Sequence, residues 1–147
     1  MLPDTAGRPM EILLVEDGLL DAKVTIEALR RCQIHHRLTL VRSVAEAQAI
    51  LRQEGRFARA PRPDLVLLDL LLPDGEGLEV LRQLRETPGQ EETAVVVLTA
   101  AESDAMRQAC EQLHVDNYIT KPVDEEKFLR VIREHKRLLL FDRASTM

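Results

Sequence analysis

Three short runs, residues 11–15 (EILLV), 65–68 (LVLL) and 94–98 (AVVVL), are apolar almost throughout, without alternation. A strand with one wet face alternates polar and apolar residues, so continuous runs of this kind must be covered on both faces. Residues 38–41 and 117–120 are two further strand candidates. Between the runs the spacing turns helical. Ala22, Ile26 and Leu29 make one stripe over residues 19–32. Leu78, Leu81 and Leu84 make a second, and Ala105, Met106, Ala109, Cys110 and Leu113 a third. Ser43-Val44-Ala45-Glu46 is a capping box opening a helix to about Gln53, and a last helix is expected from about Asp124 to about Asp142. Strand and helix alternate five times, which predicts an α/β fold: a doubly wound, five-stranded parallel sheet with helices on both faces. Residues 1–9 read as a flexible leader and 10–147 as one domain, with 124–147 as its last helix and tail.

The polar residues that end these runs are the second constraint. Glu16 and Asp17 follow the first strand, Asp69 the third, Thr99 the fourth and Lys121-Pro122 the fifth. In an open parallel sheet, ligands bind in the crevice at the carboxyl ends of the strands. That crevice would hold three carboxylates, a hydroxyl and an ammonium. Crowded carboxylates raise one another's pKa unless a cation joins them. Mg2+ suits such a place, because it takes one or two carboxylates, keeps several waters and accepts phosphate oxygens. Asp17 and Asp69 fit as ligands, with the Leu71 backbone carbonyl as a neutral one and Glu16 as a third carboxylate, bound directly or through water. Lys121 offsets charge on the opposite side, and the Thr99 hydroxyl can bond a phosphoryl oxygen. Such a set stabilises the spread charge of phosphoryl transfer. An Asp in it can be the nucleophile, giving an aspartyl phosphate.

Composition narrows the partners. The formal charge is −5 with both signs interspersed, and the chain has no Trp, one Tyr and three Phe. No Lys/Arg stripe interleaves with aromatics, so nucleic-acid binding is disfavoured. No stretch approaches the about 18 uncharged apolar residues of a membrane span. Residues 1–9 lack a signal-peptide layout, so a cytoplasmic location is expected. Cys32 and Cys110 read as reduced core thiols, and His35, His36, His114 and His135 have no metal-ligand spacing.

At Glu16-Asp17, Asp69, Thr99-Ala100 and Lys121-Pro122 the chain resembles the receiver domains of two-component response regulators. Tyr118, three residues before Lys121, matches that family's aromatic switch position. The thirty residues from Asp69 to Thr99 and the twenty-two from Thr99 to Lys121 are usual spacings for it. The resemblance implies a flavodoxin-like fold of receiver type, with Asp69 accepting a phosphoryl group from a sensor histidine kinase. It also implies Mg2+ at the site, the Ala100 backbone on the phosphoryl group, and Thr99 and Tyr118 as the switch pair. The segments PRPDLVLLDLLLP and LHVDNYITKP resemble, more closely, small stand-alone regulators partnered with bacterial phytochromes. Two positions depart from the family pattern: its common Asn is Gly18 here, and its Asp-Gly pair is Glu76-Gly77.

With no output domain following, the signal is expected to be read by another protein, or the phosphoryl group passed onward as in a phosphorelay or sink. A Mg2+-dependent phosphotransferase acting on small molecules is the second reading, weakened because Leu71 stands where such enzymes carry a second Asp. A nucleotide- or flavin-binding module is the third, weakened by the acidic residues after Val15. The apolar cluster Leu138-Leu139-Leu140-Phe141 surrounds the last helix, so homodimerisation through that helix is expected, the alternative being a tail folded back on its own domain.

Leu71 and Ala101, each two residues beyond a site residue, are both apolar. By family resemblance these positions influence how water reaches the phosphoryl group, which implies slow self-dephosphorylation. Leu71→Asn is expected to speed hydrolysis of the phosphorylated protein, followed as loss of label; an unchanged rate contradicts the assignment.

Overall fold

The structure is a computed structural model, which describes residues 7–100 and 104–141. Five parallel strands run β1 (Met10–Val15), β2 (His36–Val41), β3 (Leu65–Asp69), β6 (Ala94–Thr99) and β7 (Asn117–Thr120). Their order across the sheet is β2-β1-β3-β6-β7. A two-residue hairpin, β4 (Leu71–Leu72) with β5 (Gly75–Glu76), stands apart just after β3. The helices are α1 (Leu19–Arg31), α2 (Val44–Leu51), α3 (Leu78–Glu86), α4 (Asp104–Gln112), α5 (Glu125–Glu134) and the single turn α6 (Lys136–Leu139).

The unbroken apolar runs are explained by two cores, one on each face of the sheet. Successive side chains of a strand point to opposite faces. Ile12, Leu14, Leu65, Leu67, Val96 and Leu98 therefore pack with α1 and α5, through residues such as Leu29, Phe128 and Ile132. Leu13, Val15, Val66, Leu68, Val95 and Val97 pack with α2, α3 and α4, through Ala47, Leu81, Leu84 and Cys110. Both cysteines are free and buried, and burial pushes the Cys32 thiol up to about 11. Among the described residues no helix is long and apolar enough to cross a membrane.

Two polar devices hold the connections, and neither was legible as more than a charged or turn residue. The Asp74 carboxylate at the hairpin tip accepts the backbone N–H groups of Val44 (2.8 Å) and Ala45 (3.0 Å). It thus shares with Ser43 the capping of α2, and those backbone donors hold its pKa down. Arg85 donates to the carbonyls of Leu113, Glu91, Thr93 and His114, tying the end of α3 to the loops before β6 and β7.

The C-terminus departs from the expected single helix. α5 stops at Glu134, and His135 is extended (φ −115°, ψ 111°) before the short α6. The bend returns the chain toward the start of β1. Leu138 and Phe141 enter the same core as Met10, the Arg8 guanidinium lies 5.2 Å from the Phe141 ring, and Arg137 bonds Glu92. Burying two large apolar side chains, about 1.5–3 kcal/mol each, outweighs the continuity of one helix. Most of the apolar cluster thus folds back on its own domain; Leu140, 45% exposed, is the remainder. Arg8, assigned to the leader, is likewise anchored, by an ion pair to Asp64 at 3.1 Å. Residues 1–6 and 142–147 of the expected leader and tail lie outside the described residues.

Candidate functional site

Glu16 extends β1 by one backbone bond, its N–H donating to the Val41 carbonyl at 3.0 Å. Its Oε2 then accepts the Gly18 N–H at 3.2 Å, and its side chain is buried. Asp69 is the last residue of β3, and its Oδ1 accepts the Leu71 N–H at 2.9 Å. Gly77, at the start of α3, closes over this loop. A Cβ there would sit 2.6 Å from the Asp69 carbonyl oxygen and 2.9 Å from the Leu70 Cα, so only glycine fits. The Glu-Gly pair therefore keeps the half of the family motif that geometry demands.

Lys121 enters from the opposite side, on the loop after β7. Its N–H donates to the Thr99 carbonyl at 2.8 Å, which ties the ends of β6 and β7 together. The Lys121-Pro122 peptide is cis, and Lys127 Nζ donates to the carbonyls of Thr120 and Pro122 at 3.0 Å each. The Lys121 ammonium lies 2.7 Å from Glu16 Oε1, 2.9 Å from Asp69 Oδ2 and 3.1 Å from Asp21 Oδ2.

The crowding shifts the charges in opposite directions. Burial, together with the carboxyl of Asp69, pushes Glu16 up to about 7. Burial also works against charge on Asp69, but hydrogen bonds from Glu16, Lys121 and the Leu71 N–H outweigh it and hold its pKa down. For Lys121 burial is outweighed in turn by Asp69, Glu16 and Asp21, so its pKa rises. Of the two carboxyls, Glu16 is thus the one that takes up a proton first as pH falls, and Asp69 the one that stays ionised longer.

The structure brings Glu16, Asp69 and Lys121 into direct contact. Asp17 stands at the crevice edge, where Arg42 donates to its carbonyl at 2.9 Å and approaches its carboxylate at 3.6 Å. Thr99 is half-buried and one residue beyond Leu98, the register partner of Asp69; Ala100 is exposed in the bend that follows. Leu71 is 76% exposed beside Asp69, and Ala101 lies outside the described residues. Tyr118 packs on the α4 side of β7, away from the crevice. Its hydroxyl donates to the Arg107 carbonyl at 3.4 Å, and the Arg107 guanidinium lies 5.4 Å from its ring. Sequence reasoning missed Asp21, whose only signal was an acidic residue in the first turn of α1, four positions after Asp17.

Among the described residues no three acidic or imidazole groups form a preassembled metal cage. The residues nevertheless fit a hard divalent cation that keeps most of its waters. Glu16 Oε1 is buried and lies against the Lys121 ammonium without an aligned hydrogen bond, an orphaned oxygen beside a second buried carboxylate. A cation reaching both would relieve the desolvation that lifts Glu16.

The response regulator receiver domain model matches residues 12–133, and the chain belongs to that family of phosphorylation-controlled signalling proteins. It is 36% identical over 132 residues to response regulator Rcp1 of Synechocystis, covering 90% of each chain. The Mn2+-bound form of Rcp1 matches with a TM-score of 0.75 at 39% identity, covering 84% of this chain and 89% of that one. The phosphorylated cyanobacterial phytochrome response regulator RcpA matches at TM-score 0.75 and 40% identity with the same coverage.

Because Glu16 is lifted to about 7, the folded metal-free protein loses stability as pH rises from about 4.5 through that value. Asp69→Asn removes the neighbouring charge and is expected to raise the metal-free Tm at pH 8 by ~2–4 °C, about 1 kcal/mol, and less at pH 5. Mg2+ is expected to raise the Tm of the wild type but not of the variant. A lower Tm for the variant at pH 8 contradicts this electrostatic reading.

Proposed function

We propose that Asp69 is the phosphoacceptor of this receiver domain, taking a phosphoryl group from a phosphohistidine of a sensor kinase. The observation that carries this is the environment of its carboxylate: kept anionic, oriented by the Leu71 N–H and faced by the Lys121 ammonium at 2.9 Å. One Asp69 oxygen attacks phosphorus as the P–N bond breaks; the bonding pair stays on the imidazole, which takes a proton from solvent. Lys121 then meets charge on the phosphoryl oxygens, and we assign the Thr99 hydroxyl and the Ala100 backbone to bond them. Bound Mg2+, held by Glu16, Asp17, Asp69 and the Leu71 carbonyl, would neutralise phosphoryl charge.

A transferred phosphoryl group adds about −1.5 to −2 charges. Lys121 and Thr99 share a backbone hydrogen bond, so movement of one loads the other, and Tyr118 lies on β7, three residues before Lys121. We assign Tyr118 as the reporter, moving inward and changing the face built by α4, β7 and α5. The likeness to RcpA, a cyanobacterial phytochrome response regulator, supports a bacterial phytochrome as the kinase, and we assign a cytoplasmic location with it. Onward transfer, as in a phosphorelay or sink, uses the same acceptor and differs only in the recipient. We assign hydrolysis of its own phosphoryl group to the same site.

Homodimerisation through the C-terminal segment is kept on a narrower basis, since Leu140 is the large apolar side chain of α6 and its flank left exposed. Light scattering is expected to give a dimer mass that Leu140→Glu reduces to a monomer; a monomeric wild type overturns it. For the acceptor, Mg2+-dependent labelling by a phosphorylated kinase domain is expected for wild type and absent in Asp69→Asn. Labelling that persists in that variant would falsify the assignment.

A further inference from the structure

Asp21 lies in the first turn of α1 with about half of its side chain exposed, and its Oδ2 is 3.1 Å from Lys121 Nζ. An ammonium has three N–H donors and no acceptor. Lys121 donates to Asp69 at 2.9 Å and to Asp21 at 3.1 Å, and lies 2.7 Å from Glu16 Oε1 as an ion-pair contact. The three partners are not equivalent. Glu16 and Asp69 are buried and are the carboxylates a divalent cation would claim, whereas Asp21 stands at the solvent lip. A cation at the buried pair repels the ammonium, and Asp21 is the carboxylate that Lys121 then keeps.

A Cβ on Gly18 would lie 3.6 Å from both Asp21 Oδ2 and Glu16 Oε2. Residue 18 thus lies in ordinary contact distance of both carboxylates, which flank it at the start of α1.

We propose that Asp21 is a positioning residue for Lys121, holding the ammonium at the crevice lip and competing with the phosphoryl group for it. This rests on the reading of Asp69 as the phosphoacceptor. The carboxylate adds negative charge that favours a bound cation and opposes a phosphoryl group. Its removal therefore moves the two affinities in opposite directions.

The test uses the full chain as wild type, Asp21→Asn, Asp21→Glu and Asp69→Asn. Mg2+ affinity is measured by calorimetry, and then that of beryllofluoride, a tetrahedral phosphoryl mimic, at saturating Mg2+. For a half-exposed, screened charge, Asp21→Asn is expected to weaken Mg2+ by about 2–5-fold and to tighten beryllofluoride by about 3–10-fold. Asp21→Glu should stay near wild type. Damage to the fold weakens both ligands, so the opposed shifts are the signature of positioning. Constants that move together, or do not move, overturn the role of Asp21. A wild type that fails to bind beryllofluoride, or an Asp69→Asn variant that binds it equally well, overturns the phosphoacceptor reading and the role of Asp21 with it.

Discussion

One ammonium facing three carboxylates is the contact on which the rest of this crevice depends. Lys121 arrives from the end of β7, Glu16 from the end of β1, Asp69 from the end of β3 and Asp21 from α1. A single cation cannot satisfy three anions in a partly buried place, and the excess shows in Glu16, which burial and Asp69 lift to about 7. The site is therefore poised to gain from a second cation, and the gain is tied to the strands that carry its members. That coupling gives the fold a trigger instead of a plain binding pocket.

The scaffold makes the coupling possible because both faces of the sheet are sealed. Alternate residues of β1, β3 and β6 are committed to opposite cores, so these strands cannot slip by one residue without exposing a full face. Movement is left to the loops at the strand ends. There Gly77 presses against the Asp69 carbonyl, Asp74 reaches across to α2, and the Lys121 N–H holds the Thr99 carbonyl. Lys121 thus joins the Asp69 carboxylate to the ends of β6 and β7.

Much of this was legible in the residue pattern, for physical reasons. Runs such as AVVVL admit only a doubly covered strand, and the polar residues ending them fixed the crevice before any side chain was placed. What stayed hidden depended on distance in sequence. Asp21 acts on a residue a hundred positions away, and Arg85 serves carbonyls six to twenty-nine positions on. The break at His135 was hidden because residues 136–141 keep helical propensity and an apolar cluster; only the core around Met10 and Phe141 decides that the chain turns back. Asp17 lies at the crevice edge with its carboxylate 3.6 Å from Arg42, while Glu16 occupies the interior, a division that motif position alone does not show.

The overcrowded ammonium can be observed without phosphorylation or partner. A carbon-detected NMR titration of the Glu16 carboxyl in the metal-free protein is expected to give a midpoint near 7, moving well down when Mg2+ is added. A midpoint in the ordinary carboxylate range of about 4.3, unmoved by Mg2+, would contradict the picture of a site held short of positive charge.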